Sequence, residues 1–355
     1  MADQRLVDAF LADDYPAIDP HLPEVMRLLN ERRAGQSWHK HGTFKDHLVG
    51  TFRMLKLWGQ PSETAYCGLF HSVYSNEYVD LALFDPAHER YVLRDLLGAE
   101  TESLIYRFCT IPRTAFMRDV LARERIPADG LRLTGPDGSV HALDRRETGT
   151  YLVVTMADLL EQWYSWQEDT MSGYPGFGPV DAKTMWNVTL WPGQFRPGSS
   201  ALSLVSRLAR FLPDLDLPTP PVFDNCTGLL AQDDEAAAVA LYWQVATQST
   251  PHVSPVHARR ILERAVALNP FVAEPRLLLA QIALLQDDFE TAERHAEAGA
   301  DLIAGWGIQW DKRIPWEGWT VWARLLASRA RQRVWPRTLH EHNNLGLVPP
   351  VTAAV

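Results

Sequence analysis

The chain has 355 residues and a formal net charge of −10, with 46% hydrophobic and 22% charged residues. Such a composition belongs to an ordinary globular protein, and the acidic balance argues against a polyanion-binding surface over the whole molecule while leaving a local basic groove open. The length favours two domains and a core of normal size that needs no covalent staples. Cys67, Cys109 and Cys226 are widely spaced and form no paired motif, so they read as buried thiols of a reducing compartment. The first ten residues carry acids and no long apolar run, and no stretch of about 18 apolar residues occurs. The expectation is a cytoplasmic protein with neither membrane nor nucleic acid among its partners.

Residues 1–35 predict helix. From His47 to Trp58, the residues Leu48, Val49, Phe52 and Leu55 fall on one helix face. Gly59-Gln60-Pro61-Ser62 stops that helix and caps another, expected from about Glu63 to Val73. Segments 87–98, 100–109 and 112–124 also predict helices. Two short alternating runs flank Gly-Pro-Asp-Gly within 131–143, a β-hairpin signal. Helix resumes near Thr148. Residues 172–200, rich in Gly, Pro and Trp, read as a long irregular loop. A helix over 200–212 precedes the Pro-rich stretch 213–222, the expected linker between a first domain (1–212) and a second (223–355).

The second part has a different pattern. Ala258, Leu262, Ala265 and Pro270 recur 34 residues later as Ala292, Ala296, Gly299 and Ala304. Val245 and Ala246 map onto Leu279 and Ala280 by the same step. Small residues return where a second helix packs closely on a first. This period resembles the tetratricopeptide repeat, with about two units over 237–304 and a closing helix around Trp316, Trp319 and Trp322. The resemblance implies a groove for a protein partner. The tryptophans here, with Trp186 and Trp191, read as core or groove packing, since no basic stripe accompanies them.

Two strings carry the chemistry: W-H-K-H-G-T-F-K-D-H-L-V-G (38–50) and G-L-F-H-S-V-Y-S-N-E (68–77), which hold four of the twelve histidines. His47 and His71 each lie in an apolar segment that predicts helix. Buried imidazoles need partners, and two on adjacent helices point to a metal. With V-V-T-M-A-D-L-L-E-Q (153–162), these segments resemble the HD superfamily of all-helical metal-dependent enzymes. Within it they are nearest the hydrolase domain of the RelA/SpoT alarmone enzymes, over about residues 35–165. They also resemble an uncharacterised HD-like family with the strings H-G-T-F-x-D-H-L and F-H-S-V-Y. The resemblance implies His47, His71 and Asp158 as ligands of a divalent Fe, Mn or Zn ion, with positions left open for water or substrate.

The sequence departs from that family. His71-Ser72 stands where the family has His-Asp, and a neutral serine is a poor ligand, so a mononuclear site is expected. Ser75 and Asn76 occupy the positions of the family's catalytic Glu-Asp pair, and neither is a base at neutral pH. Alarmone hydrolysis is therefore not expected. His39 and His41 precede a Gly42-Thr43 turn that could fold them over the ion, one as a fourth ligand, or His41 moving a proton and His39 meeting substrate; a surface H-x-H, or His41 as a helix-entry hydrogen bonder, is the alternative. On the expected helix, Tyr74 and Glu77 follow His71 by one and two turns. Glu77 is then a candidate base and Tyr74 a donor to a substrate oxygen, against a core Tyr and a solvated Glu. Arg113 is a candidate for binding an anionic substrate, or else a structural ion pair. Asp46 reads as a helix cap or a partner of His47, and Glu161 and Gln162 as supports behind the ligands.

The expectation as a whole is all-α: an HD-like helical domain with a small β-hairpin, followed by a tetratricopeptide-like helical repeat domain. Its leading function is a metal-dependent enzyme on a small metabolite, hydrolytic through an activated water. An Fe-dependent oxygenase or oxidase is the second reading. A non-catalytic scaffold whose repeats bind a protein is the third.

Overall fold

The computed structural model describes residues 3–39, 42–162, 201–215, 217–220, 230–248 and 254–347. His41, the expected loop 172–200 with Trp186 and Trp191, and Cys226 lie outside the described residues. Helices dominate, as the sequence patterning predicts. Three open the chain: α1 (Gln4–Leu11), α2 (Tyr15–Ile18) and α3 (Leu22–Glu31). A two-residue ladder, β1 (Trp38–His39) and β2 (Gly42–Thr43), leads into α4 (Phe44–Leu57) and α5 (Ser62–Leu69). Then come α6 (Arg90–Leu97), α7 (Ala99–Thr110) and α8 (Arg113–Leu121). The expected hairpin forms from β3 (Leu131–Thr134) and β4 (Val140–Leu143), and α9 (Arg145–Gln162) follows.

Local chemistry sets the starts of the two helices that matter most. Thr43 and Asp46 form a capping box: the Thr43 hydroxyl accepts from Asp46 N at 3.1 Å, and the Asp46 carboxylate accepts from Thr43 N at 3.0 Å. The N-cap is thus Thr43, and Asp46, expected as the cap itself, is its partner three residues on. Ahead of α9, Asp144 accepts from Glu147 N at 2.8 Å and Glu147 accepts from Asp144 N at 3.0 Å, the same reciprocal device. Along α9, residues 148–157 are all buried. That helix is therefore central, with α4 and α5 packed on it.

After α10 (Ala201–Ala209), the described part of the Pro-rich stretch lies against the first half. Gln60 Nε2 donates to Pro218 O at 2.6 Å. The second half comprises α11 (Gln232–Trp243), α12 (Pro255–Leu268), α13 (Glu274–Leu285), α14 (Phe289–Trp306), α15 (Trp316–Gln332) and α16 (Leu339–Asn343). Helices α12 and α14 begin 34 residues apart, in step with the sequence period. The recurring small residues Ala258, Ala265, Ala292 and Ala296 are all fully buried.

Gly299 shows why small residues are needed there. A Cβ at this position would lie 2.5 Å from Leu277 Cδ2 and 2.9 Å from its Cγ, and Leu277 is itself fully buried. Gly299→Ala is expected to destabilise the protein by about 1–3 kcal/mol through overpacking, read from urea denaturation.

The Pro-rich stretch separates two sequence patterns, yet buried side chains from both sides of it meet in one cluster. Phe52, Trp58 and Leu160 share that cluster with Tyr242, Leu262, Trp306 and Trp310. Trp58 Nε1 donates to Trp306 O at 3.2 Å. Arg53 donates to Gly307 O at 3.0 Å, pairs with Glu317 at 2.6 Å and lies over the Trp316 ring. Among the described residues, no helix is long and apolar enough to cross a membrane.

Candidate metal centre

Three elements bring the expected ligands together. His47 projects from the first turn of α4 and Asp158 from the last turns of α9, while His71 sits just past the end of α5. Their ligand atoms lie within 4.8 Å of one another, a grouping that can hold a metal ion. The two Nε2 atoms are 3.1 Å apart, and each is 3.5 Å from Asp158 Oδ1. Both histidines are 1% exposed.

Each imidazole is oriented from behind. His71 Nδ1 donates to Gly68 O at 2.7 Å, and His47 Nδ1 pairs with the Glu161 carboxylate. The Gly68 carbonyl assigns His71 the tautomer whose Nε2 lone pair faces inward, and with Glu161 ionised His47 takes the same form, the one that binds a metal. Asp158, Glu161 and Gln162 stand at i, i+3 and i+4 on α9 and so share a face. Gln162 Nε2 bonds Asp158 and approaches His47 Nε2 at 3.2 Å.

The electrostatics suit the same chemistry. Burial lowers the His71 imidazole to about 4, against the opposing pull of Asp158, so His71 is neutral at pH 7. Burial alone would raise Asp158, but His71, His47 and Arg113 hold it down at about 2, and it is a carboxylate. Burial pushes Glu161 up to about 7, against the pull of Lys312. Burial brings Lys312 down to about 7.

His39 is carried by β1 to a ring-centroid distance of 4.6 Å from His47, so the short ladder does fold one of the two leading histidines over the site. Arg113 opens α8 with its side chain buried. It pairs with Asp158 Oδ2 at 3.5 Å, donates to His71 O and lies over Phe108. Its guanidinium thus engages two of the three clustered residues, the contact that the ion-pair alternative describes.

Tyr74 and Glu77 require a correction. Helix α5 stops at Leu69 and residues 70–73 form a turn, so neither residue follows His71 along a helix face. Tyr74 pairs in an isolated bridge with Ala82, and its hydroxyl donates to Glu102 at 3.2 Å. Glu102 also receives the Arg90 guanidinium through two bonds of 2.7 and 2.8 Å. The Glu77 carboxylate, exposed, accepts from Thr114 N at 2.9 Å and caps the start of α8. The turn removes the geometry on which both expected catalytic roles rested. Ser72 is buried and accepts from Asn76 Nδ2 at 2.8 Å.

Sequence reasoning missed Lys312. It lies in the segment between α14 and α15, and its Nζ donates to Glu161 O at 3.2 Å across 151 residues of chain. Its only local signal is a lysine among tryptophans, in I-Q-W-D-K-R.

A family model described as a domain of unknown function (DUF6817) matches residues 28–113. The match takes in His39, His47, His71 and Arg113, and ends before Asp158 and the whole second half. No curated protein and no solved structure matches the chain.

Proposed function

We propose that the chain is a metal-dependent enzyme acting on a small metabolite, with one divalent ion held by His47, His71 and Asp158 and hydrolysis as its reaction. One observation carries this reading: two inward Nε2 atoms 3.1 Å apart, each with its Nδ1 engaged elsewhere, beside a carboxylate oxygen 3.5 Å from both. Two imidazole nitrogens and a carboxylate oxygen converging on one point are a donor set that a divalent cation would join. Three protein donors leave positions open, which is the pattern of a catalytic ion. A bound Fe, Mn or Zn ion would supply Lewis acidity and an acidified water. The chain itself fixes the donors: Glu161 and the Gly68 carbonyl turn the two rings, and Arg113 offsets the charge on Asp158. The likeness to HD enzymes, mostly phosphoester hydrolases, favours hydrolysis. His71-Ser72, with no aspartate there, favours a single ion.

The donor set also favours a second reading. Two histidines and one carboxylate with open positions suit Fe(II) and O₂, so oxidation of a small substrate is the competing chemistry. Protein purified without chelator is expected to carry about one divalent ion per chain, measured by elemental analysis. Turnover of phosphoesters with Mn or Zn supports hydrolysis, and an O₂-dependent spectral change with iron supports oxidation. Absence of stoichiometric metal, with normal stability in His47→Ala and His71→Ala, would sink both and leave a scaffold whose repeats bind a protein partner.

A further inference from the structure

The geometry points to Lys312 as a positioning residue for the metal centre, acting from the second half of the chain through Glu161 on His47. This rests on the metal reading above and adds what holds that site in shape.

The segment that carries Lys312 is fixed from several sides. Glu274 Oε1 on α13 accepts from Trp310 N and from Asp311 N, the latter at 3.0 Å. The Asp311 carbonyl receives Trp319 Nε1 of α15 at 2.9 Å, and its carboxylate receives the Tyr242 hydroxyl of α11. Arg53 of α4 bonds Gly307 O at the segment's start. Lys312 is therefore presented from a rigid frame, and it is buried. Its Nζ meets the backbone of Glu161 in the last described turn of α9. The side chain of that same residue orients His47 Nδ1. There is little slack around Glu161 on its other side, because its Cγ would lie 3.1 Å from a Cβ placed on Gly50 of α4. A shift of the α9 turn thus moves the carboxylate, and with it the direction of the His47 Nε2 lone pair. Outer partners of ligating histidines are typically worth about 10–100-fold in metal affinity.

The test is a double-mutant cycle on the full chain, using Co(II) as the probe, with affinity taken from chelator competition and the visible spectrum as a signature of ligand geometry. Lys312→Met is expected to weaken Co(II) binding by about 10-fold and to shift the spectrum. In a Glu161→Ala background the same change is expected to add nothing. If Lys312→Met does not fold, Lys312→Gln, whose shorter stem falls short of Glu161 O, gives the same reading. Wild-type binding with unchanged affinity and spectrum in the variant overturns the inference and leaves the metal reading standing. So do additive effects of the two changes. Failure of the wild-type chain to bind Co(II) overturns both.

Discussion

Asp158→Asn is expected to reduce divalent metal affinity by at least about 100-fold, since a lost ligand should exceed the 10–100-fold worth of an outer partner. Equilibrium dialysis with elemental analysis measures it. The same change strips Arg113 of its opposite charge at 3.5 Å, although two carbonyl acceptors remain to it. A cost of about 1–3 kcal/mol in the metal-free protein follows. The metal-free protein should also lose stability in acid, in two stages. His71 titrates near 4 when folded and at 6.5 when free. Between those values the unfolded chain binds a proton that the native chain refuses. Stability from this residue is whole above pH 6.5 and is lost as pH falls to 4, by on the order of 3 kcal/mol. Asp158, lowered from 3.8 to about 2, contributes stability that is present above its unfolded value and disappears as pH falls through about 2. Denaturation midpoints across pH 7 to 4 should flatten in His71→Asn. An equally steep decline in that variant would show that other groups govern it.

Trp58→Ala is expected to cost about 3–5 kcal/mol, the largest effect of any single truncation proposed here. Trp58 is 1% exposed and joins the two halves by packing and by its bond to Trp306 O. Its removal leaves a cavity at the junction and takes one hydrogen bond from the Trp306 carbonyl. Because one cluster of buried side chains spans both halves, fluorescence and circular dichroism should report one shared, lowered transition. Two separated transitions in the wild-type protein would contradict the common core.

Much of this fold is legible in the sequence because local signals agree with tertiary burial. Gly59-Gln60-Pro61-Ser62 announces the break between α4 and α5, Gly-Pro-Asp-Gly announces the hairpin, and the 34-residue step reappears in the starts of α12 and α14. The two histidines of the cluster were legible from residue type on apolar segments, and Asp158 only through the resemblance to HD enzymes. The end of α5 was not. Phe70, Val73 and Tyr74 are apolar and buried, so the hydrophobic pattern runs on where the helix does not. Burial continues through a turn as readily as through a helix, and periodicity over so few residues does not separate them. That one misplaced boundary put Tyr74 and Glu77 on a helix face shared with His71, which the turn at 70–73 does not provide. Lys312 was illegible for another reason: its partner is 151 residues away, and nothing local to either residue encodes the meeting.

The two histidines also differ in what substitution can do to them. His47 is oriented by a side chain, Glu161, so a single codon change can retune or remove its support. His71 is oriented by the Gly68 carbonyl, which every amino acid at that position would still supply. Yet a Cβ at Gly68 would lie 2.1 Å from Leu55 Cδ1, so a side chain there requires the buried Leu55 to move. His47 is thereby open to gradual adjustment of its basicity over evolutionary time, while His71 is tied to a backbone atom and changes only with repacking of the helix pair.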